Sequence, residues 1–229
     1  MSSPHSAMIL AAGRGERMRP LTDECPKPML QVVGRPLIAH HLEHLARSGF
    51  RRVVINLGWL GTRIREWVGD GSRFGLEVVY SPEGWPALDT GGGIARALPH
   101  LGPDPFLVIN GDVWTDCRLD GLTLDEGDLA RLVVVANPAH RPDGDFLFRA
   151  GRLDPEWGDP VTFAGIGVYH PQLFSGREGE VAGERFALGP LLRRAIASGQ
   201  VSATFHDGEW RDIGTPERLH ELDARLRGP

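Results

Sequence analysis

The chain has 229 residues, 41% hydrophobic and 24% charged, a balance ordinary for a globular protein with one large core. Its formal net charge of -5 argues against a nucleic-acid polymer as partner, because such binding draws on an excess of Lys and Arg. No apolar run approaches the roughly 18 residues of a membrane span, the start MSSPHSAM lacks the basic and apolar parts of a secretion signal, and two cysteines make no disulfide framework, so a cytoplasmic protein is expected.

In chain order, a short apolar strand over 8–10 runs into the small residues Ala11, Ala12, Gly13 and Gly15. Pro36 opens a helical stretch with Leu37, Ile38, Leu42 and Leu45 on one side, and Gly49 ends it. His40, His41 and His44 on that stretch form H-H-x-x-H without the Glu of H-E-x-x-H, so they read as solvated helix histidines. The strand VVINL follows over 53–57, then a helix near 60–68, the strand LEVVY over 76–80, a Pro/Gly loop, a helix opening near Gly91, and FLVINGD over 106–112. This order places the first loop, the Gly91 loop and Asp112 at strand ends, where open α/β sheets bind ligands.

Beyond Asp120 a strand is expected over 131–136, then a loop-rich stretch over 138–160 with a short hairpin, then the strand TFAGIGVY over 162–169. Residues 188–198 have helical spacing with Gly199 as their stop, VSATFH is a final strand, and Pro216 starts the last helix. Trp85 and Trp157 read as loop anchors burying apolar area. Neither a linker nor an internal repeat breaks the chain, and no C-terminal hexapeptide repeat adds a second activity. The alternation predicts a single α/β domain with a mostly parallel sheet flanked by helices.

The loop after the first strand suits an anion. Small residues let backbone N–H groups converge on a phosphate, and Arg14, Arg17 and Lys27 add full charges. Residues 1–35 carry five basic and three acidic side chains, a local excess that fits a small anionic ligand. The P-loop pattern is absent, and G-x-G-x-x-G fails because Met18 stands in place of the third glycine. Pro20 and the run Pro26-Lys27-Pro28 argue against a helix starting at the glycines, and they predict an extended backbone at Lys27. The plain alternative is a Gly/Pro-rich surface turn. Asp112 in INGDVW and Asp212 in EWRDIGTPERL each follow a strand, where a lone Asp is often a turn or cap residue. Cys25 has no paired base nearby and is not read as a nucleophile.

The run LAAGRGERMRPLT followed by PKPM resembles the N-terminal motif of the sugar-1-phosphate nucleotidyltransferases, or nucleotide-sugar pyrophosphorylases. That resemblance implies a Rossmann-like nucleotidyltransferase fold and a reaction joining a nucleoside triphosphate to a sugar 1-phosphate with release of pyrophosphate. By position it implies that Ala11, Ala12, Gly13, Arg14 and Gly15 wrap the nucleotide, and that Arg17 and Lys27 act on the reacting phosphates. It also implies that Asp112 and the Asp212 of W-x-D-[IV]-G-T hold Mg2+. A nucleotide part over about 6–120 and a sugar part over about 121–229 follow.

The segment SPEGWPALDTGGGI over 81–94 corresponds to the family's base-closing loop, with Asp89 where many members have Gly. L-D-T-G-G-G, NGDVWTD, G-D-F and T-F-x-G-I are similar to a short uridylyltransferase branch that acts on N-acetylmuramate 1-phosphate in peptidoglycan recycling. The resemblance then implies that Asn110, Asp145 and Thr162 contact the sugar or its phosphate and that Glu83 and Gly91 lie beside the nucleotide. A lactyl carboxylate would need a cation, and Arg141, Arg149 and Arg152 are near in sequence. Asp145 as a turn residue and Thr162 as a strand residue are the plain readings. A guanylyltransferase for mannose 1-phosphate or a heptose 1-phosphate shares these motifs. A non-catalytic nucleotide-sugar sensor would be expected to have lost Lys27, Asp112 or Asp212, and all three are present.

Overall fold

The computed structural model describes residues 4–175 and 184–228. The first half contains β1 (Ser6–Leu10), the one-turn α1 (Leu21–Glu24), the two-residue strands β2 (Gln31–Val32) and β3 (Arg35–Pro36), then α2 (Leu37–Arg47), β4 (Arg52–Leu57), α3 (Gly61–Val68), β5 (Glu77–Pro82), α4 (Asp89–Leu101) and β6 (Phe106–Asn110). The second half contains β7 (Val113–Thr115), β8 (Ala130–Val135), β9 (Phe146–Arg149), β10 (Arg152–Asp154), β11 (Asp159–Tyr169), α5 (Leu188–Ala197), β12 (Val201–Phe205), β13 (Trp210–Asp212) and α6 (Pro216–Arg227).

The main sheet runs β5-β4-β1-β6-β11-β8-β12-β10-β9. Its first four strands are parallel, as the helical crossovers of that half require. β11 then runs antiparallel to both β6 and β8, and β8 is parallel to β12, so the sheet is mixed. At the far edge β9 pairs antiparallel with both β10 and β11. β9 and β10 form a tight hairpin with Arg149 opposite Arg152, turning through Ala150 and Gly151 at φ 48° and 81°, and only four residues separate β10 from β11. Because β11 is flanked by two strands opposite to it, the C-terminal ends of β1, β4, β6, β8 and β12 share one edge.

Alternation in the strands builds two apolar layers. Ala7 and Ile9 face Ile38, Leu42 and Leu45 of α2 and Ile64 of α3, whereas Met8 and Val54 face Ile94 and Ala97 of α4. A smaller cluster joins Met18, Leu30, Val32 and Leu37 to Ile213 and Leu222, and so fixes the C-terminal segment beneath the first loop. Thr215 caps α6 through its hydroxyl, which accepts from the Arg218 N–H, and Pro216 fills the position where no donor is needed.

Several expectations are corrected. Lys27 is not extended: Pro26 is, but Lys27–Met29 form a 3-10 turn closed by the Leu30 N–H on the Lys27 carbonyl. His41 is not solvated. It is 5% exposed on the inner side of α2, facing the Gly111 carbonyl, and burial lowers its pKa to about 4. Burial lowers that of His44 as well. Trp157 is 66% exposed and anchors no loop, and Trp85 is 57% exposed although it packs on Trp59 with ring centroids 5.6 Å apart. Burial pushes both thiols up, Cys117 to about 11, so neither supplies a thiolate at neutral pH. Among the described residues no helix is long and apolar enough to cross a membrane.

Candidate active site

The loop after β1 is held from below. The Ala11 N–H donates to Asn56 Oδ1 at 2.6 Å, the Trp59 N–H donates to the Ala12 carbonyl at 3.1 Å, and the Thr22 hydroxyl donates to the Gly15 carbonyl at 2.9 Å. Gly15 has φ 66°, a left-handed backbone suited to glycine, and passes directly into the 3-10 turn Glu16–Met18. A cleft of about 390 Å3 opens above, at the C-terminal strand edge. Ala11, Ala12, Gly13, Gly15, Arg17 and Lys27 line it from the N-terminal segment, Glu83 from the loop before α4, and Asn110 and Asp112 from the end of β6.

Two of the expected nucleotide contacts are used differently. The Ala11 N–H is taken by Asn56 and is not open to a ligand. Arg14 turns its guanidinium onto the Thr22 carbonyl at 2.5 Å and Asp23 at 2.7 Å, and lies 3.8 Å over the Trp59 ring. It therefore braces the loop against α1 and holds the Asp23 carboxyl below its usual range.

Asp112 and Asp212, a hundred positions apart in sequence, meet through the ribbon formed by β7 and β13. Asp212 lies opposite Val113, and the Ile213 N–H donates to the Asp112 carbonyl at 2.8 Å. Gly111 permits the turn into this ribbon, since a Cβ there would stand 2.6 Å from the Leu10 carbonyl oxygen. Lys27 Nζ is 2.5 Å from Asp112 Oδ2, and Arg218 Nη1 is 3.1 Å from Asp212 Oδ2. Among the described residues there is no group of three or more His, Cys, Asp or Glu of metal-binding geometry. Asp112 lines the cleft and Asp212 lines the neighbouring cavity; one or two carboxylates, completed by substrate phosphates and water, are the usual protein donors to Mg2+.

Around the base-closing loop the sequence reading missed Asn56. This residue is 3% exposed, and besides accepting from Ala11 it donates to Glu83 Oε1 at 2.6 Å. Glu83 Oε2 in turn accepts the Leu88 N–H at 2.8 Å. The signal was a polar residue inside the otherwise apolar strand VVINL. Asp89 lines the cleft with φ 63°, a left-handed position that glycine adopts freely. Gly91 does not line it: its missing side chain admits Phe186, whose ring would lie 2.5 Å from a Cβ.

The expected sugar contacts separate. Asn110 lines the cleft, its amide packed against Gly165 where β11 is irregular. Thr162 is buried: it is 2% exposed, and its hydroxyl is committed to Asn137 Oδ1 at 2.9 Å. Asp145 is occupied by Arg141, at 2.9 Å to both oxygens, and by the Phe163 N–H at 2.9 Å. Arg152 is paired with Asp128, and Arg149 is exposed on β9. A second cavity of about 480 Å3 lies at the ends of β8 and β12 and is lined by His140, Trp210, Asp212 and Arg218 among others.

The chain is similar to known proteins in sequence and in fold. At 50% identity over 226 residues, covering 95% of this chain and 96% of the relative, the chain is similar to the N-acetylmuramate alpha-1-phosphate uridylyltransferase of Neisseria meningitidis serogroup B. The protein of the same name from Caulobacter vibrioides is 31% identical, with 98% of each chain covered. In fold, HddC from Yersinia pseudotuberculosis complexed with GMP-PN superposes with TM-score 0.78 at 21% identity, over 97% of this chain and 99% of that one. The inositol-1-phosphate CTP transferase from T. maritima gives 0.76 at 19% identity, over 99% and 98%. A nucleotidyl transferase family model matches residues 6–143, and the chain belongs to that family.

Proposed function

We propose that this chain transfers the uridylyl group of UTP to N-acetylmuramate 1-phosphate, giving the UDP-sugar and pyrophosphate in the cytoplasm. The observation that carries this reading is the convergence of Arg17, Lys27 and Asp112 on one cleft, with Asp212 joined to Asp112 through a two-strand ribbon, in a chain half identical to a uridylyltransferase over nearly its whole length. The two free cysteines, both protonated at neutral pH, suit a reducing compartment.

In this mechanism an oxygen of the sugar 1-phosphate bonds to the α-phosphorus of UTP as the bond to the bridging oxygen of the β-phosphate breaks, and pyrophosphate leaves with that oxygen. The attacking phosphate is already ionised, so no general base is required and positioning carries the rate. Lys27 is held in the cleft by Asp112 at 2.5 Å, which sets its ammonium in place for the charge of the reacting phosphates. Arg17 adds a second cation on the same wall, near Gly214. Asp112 and Asp212 are the residues that would hold Mg2+, which when bound polarises phosphoryl oxygens and offsets the charge on the leaving pyrophosphate. Asn56 and Glu83 fix the relative position of the phosphate loop and the base-closing loop.

The test is pyrophosphate release from UTP, GTP, CTP and dTTP paired with the 1-phosphates of N-acetylmuramate, mannose, glucose and N-acetylglucosamine, with Asp112→Asn as blank. UTP with N-acetylmuramate 1-phosphate is expected to give the highest kcat/KM. Preference for GTP with mannose 1-phosphate refutes the substrate assignment, and nucleotide binding without Mg2+-dependent release in any combination refutes catalysis in favour of a sensor.

A further inference from the structure

The second cavity shares its wall with the first. Gly214 lines the first cleft, and a Cβ at this residue would lie 3.1 Å from Asp212 Oδ1, 3.2 Å from Arg218 Nη1 and 3.4 Å from Arg17 Nη1. Arg17 of the first cavity and Arg218 of the second therefore meet over a residue without a side chain. Only the backbone of Gly214 stands between the first cleft and the Asp212–Arg218 pair that lines the second. Both cavities open at the same sheet edge, since β8 and β12 end there together with β1 and β6. Trp210 gives the second cavity a rigid wall, its indole N–H donating to the Ala164 carbonyl at 2.8 Å.

The acceptor proposed above carries a lactyl carboxylate beside its 1-phosphate, and the arginines near the acceptor loops are mostly engaged. Arg141 is clamped by Asp145 and Arg152 by Asp128, and Arg211 is bonded to Glu209 at 3.3 Å. Arg218 differs. Its side chain is 26% exposed and contacts Asp212 through Nη1, while among the described residues Nε and Nη2 make no hydrogen bond. His140 Nε2 lies 3.9 Å from the same Asp212 oxygen, which puts an imidazole ring beside the guanidinium. Arg211 also lines the cavity but is bonded to Glu209, and Asp207 and Glu221 stand on the same wall, so a carboxylate would be received there by the directed guanidinium of Arg218 and not by a general positive field.

Resting on the uridylyltransferase reading, we propose that the second cavity is the acidic-substituent pocket of the acceptor site and that Arg218 is the specificity-determining residue that receives the lactyl carboxylate. N-acetylglucosamine 1-phosphate lacks that group and is the matched control.

The experiment measures kcat/KM with UTP for N-acetylmuramate 1-phosphate and N-acetylglucosamine 1-phosphate in the wild type, Arg218→Met and Arg218→Lys. In Arg218→Met the ratio of the two values is expected to fall at least about thirtyfold in favour of N-acetylglucosamine 1-phosphate, chiefly through KM, on top of any loss the two share through Asp212. Arg218→Lys should recover part of the ratio. Calorimetric binding of UDP-N-acetylmuramate and UDP-N-acetylglucosamine gives the same comparison without turnover, and urea unfolding checks that the variants are folded. An unchanged ratio in both kinetics and binding overturns the role of Arg218 while leaving the uridylyltransferase reading intact. A wild type that does not use N-acetylmuramate 1-phosphate overturns both.

Discussion

Asn56→Ala removes a single buried side chain on which two loops depend. The amide accepts from the Ala11 N–H and donates to Glu83 Oε1, both at 2.6 Å, at a position 3% exposed. The truncation strands a buried N–H, costing about 1–3 kcal/mol, and removes one charge-assisted bond from a half-buried carboxylate that keeps the Leu88 N–H, costing about 1 kcal/mol more. A total of about 2–4 kcal/mol in a chain of this size lowers the melting temperature by about 5–15 °C. The same change frees the Ala11 N–H and lets the phosphate loop and base-closing loop drift apart, so UTP affinity should fall at least about tenfold. Differential scanning calorimetry and calorimetric titration with UTP measure the two effects. A variant that melts within about 2 °C of the wild type and binds UTP equally well refutes the linkage.

Lys27→Ala and Asp112→Asn should each lower turnover at least about a hundredfold in steady-state pyrophosphate release, the scale of losing one electrostatic element; near-normal rates refute their placement. Gly93→Ala forces a methyl group onto Glu83 Oε1 and to within 3.0 Å of Asn56 Nδ2, and should destabilise the fold by about 2 kcal/mol in urea titrations while weakening UTP binding. His41 gives a pH dependence. Its folded pKa near 4 lies below its ordinary 6.5, so stability is full above pH 6.5, is lost as the unfolded chain gains a proton the folded one refuses, and levels off below 4. The loss between pH 7.5 and 5 is about 2 kcal/mol, and His41→Gln should flatten that slope; equal slopes in urea midpoints refute it. Removal of divalent ions with EDTA should abolish turnover, and added Mg2+ should restore it.

The strand and helix pattern was legible because the layers on the two faces of the sheet impose strict alternation, visible in Ala7 and Ile9 against Met8. The irregular loop after β1 was legible because its glycine and prolines are local requirements. What was hidden depends on partners distant in sequence. The ribbon of β7 and β13 has three residues in each strand, too few to show a period, yet it is what joins the Asp112 and Asp212 segments. Thr162 and Asp145 have side chains suited to a sugar, and only the neighbouring Asn137 and Arg141 reveal that those groups are already bonded. His41 looked solvated because an amphipathic helix does not announce that the turn after β6 will cover one of its polar positions.

The run Gly91-Gly92-Gly93 gives the clearest physical reason why the base-closing loop resists reading from its own residues. Three consecutive glycines in the first turns of α4 sacrifice about 2–3 kcal/mol of helix propensity relative to alanine. Each one is required by a different neighbour: Gly91 by Phe186, Gly92 by the Glu184 carbonyl, and Gly93 by Glu83 and Asn56. The loss is offset by bonds these approaches permit, with the Phe186 N–H on the Leu88 carbonyl at 3.1 Å and the Gly92 N–H on the Phe186 carbonyl at 3.0 Å. The start of α4, with Asp89 and Thr90 on the cleft, is thus gripped from one side by residues 184–187 and from the other by the Glu83–Asn56 pair that also holds Ala11. The position of the start of α4 is set jointly by segments near 11, 56, 83 and 186. Substitutions at any of these four places should therefore alter nucleotide affinity together with stability, whereas a change confined to the side chain of the exposed Trp157 should leave stability unaffected to within about 0.5 kcal/mol.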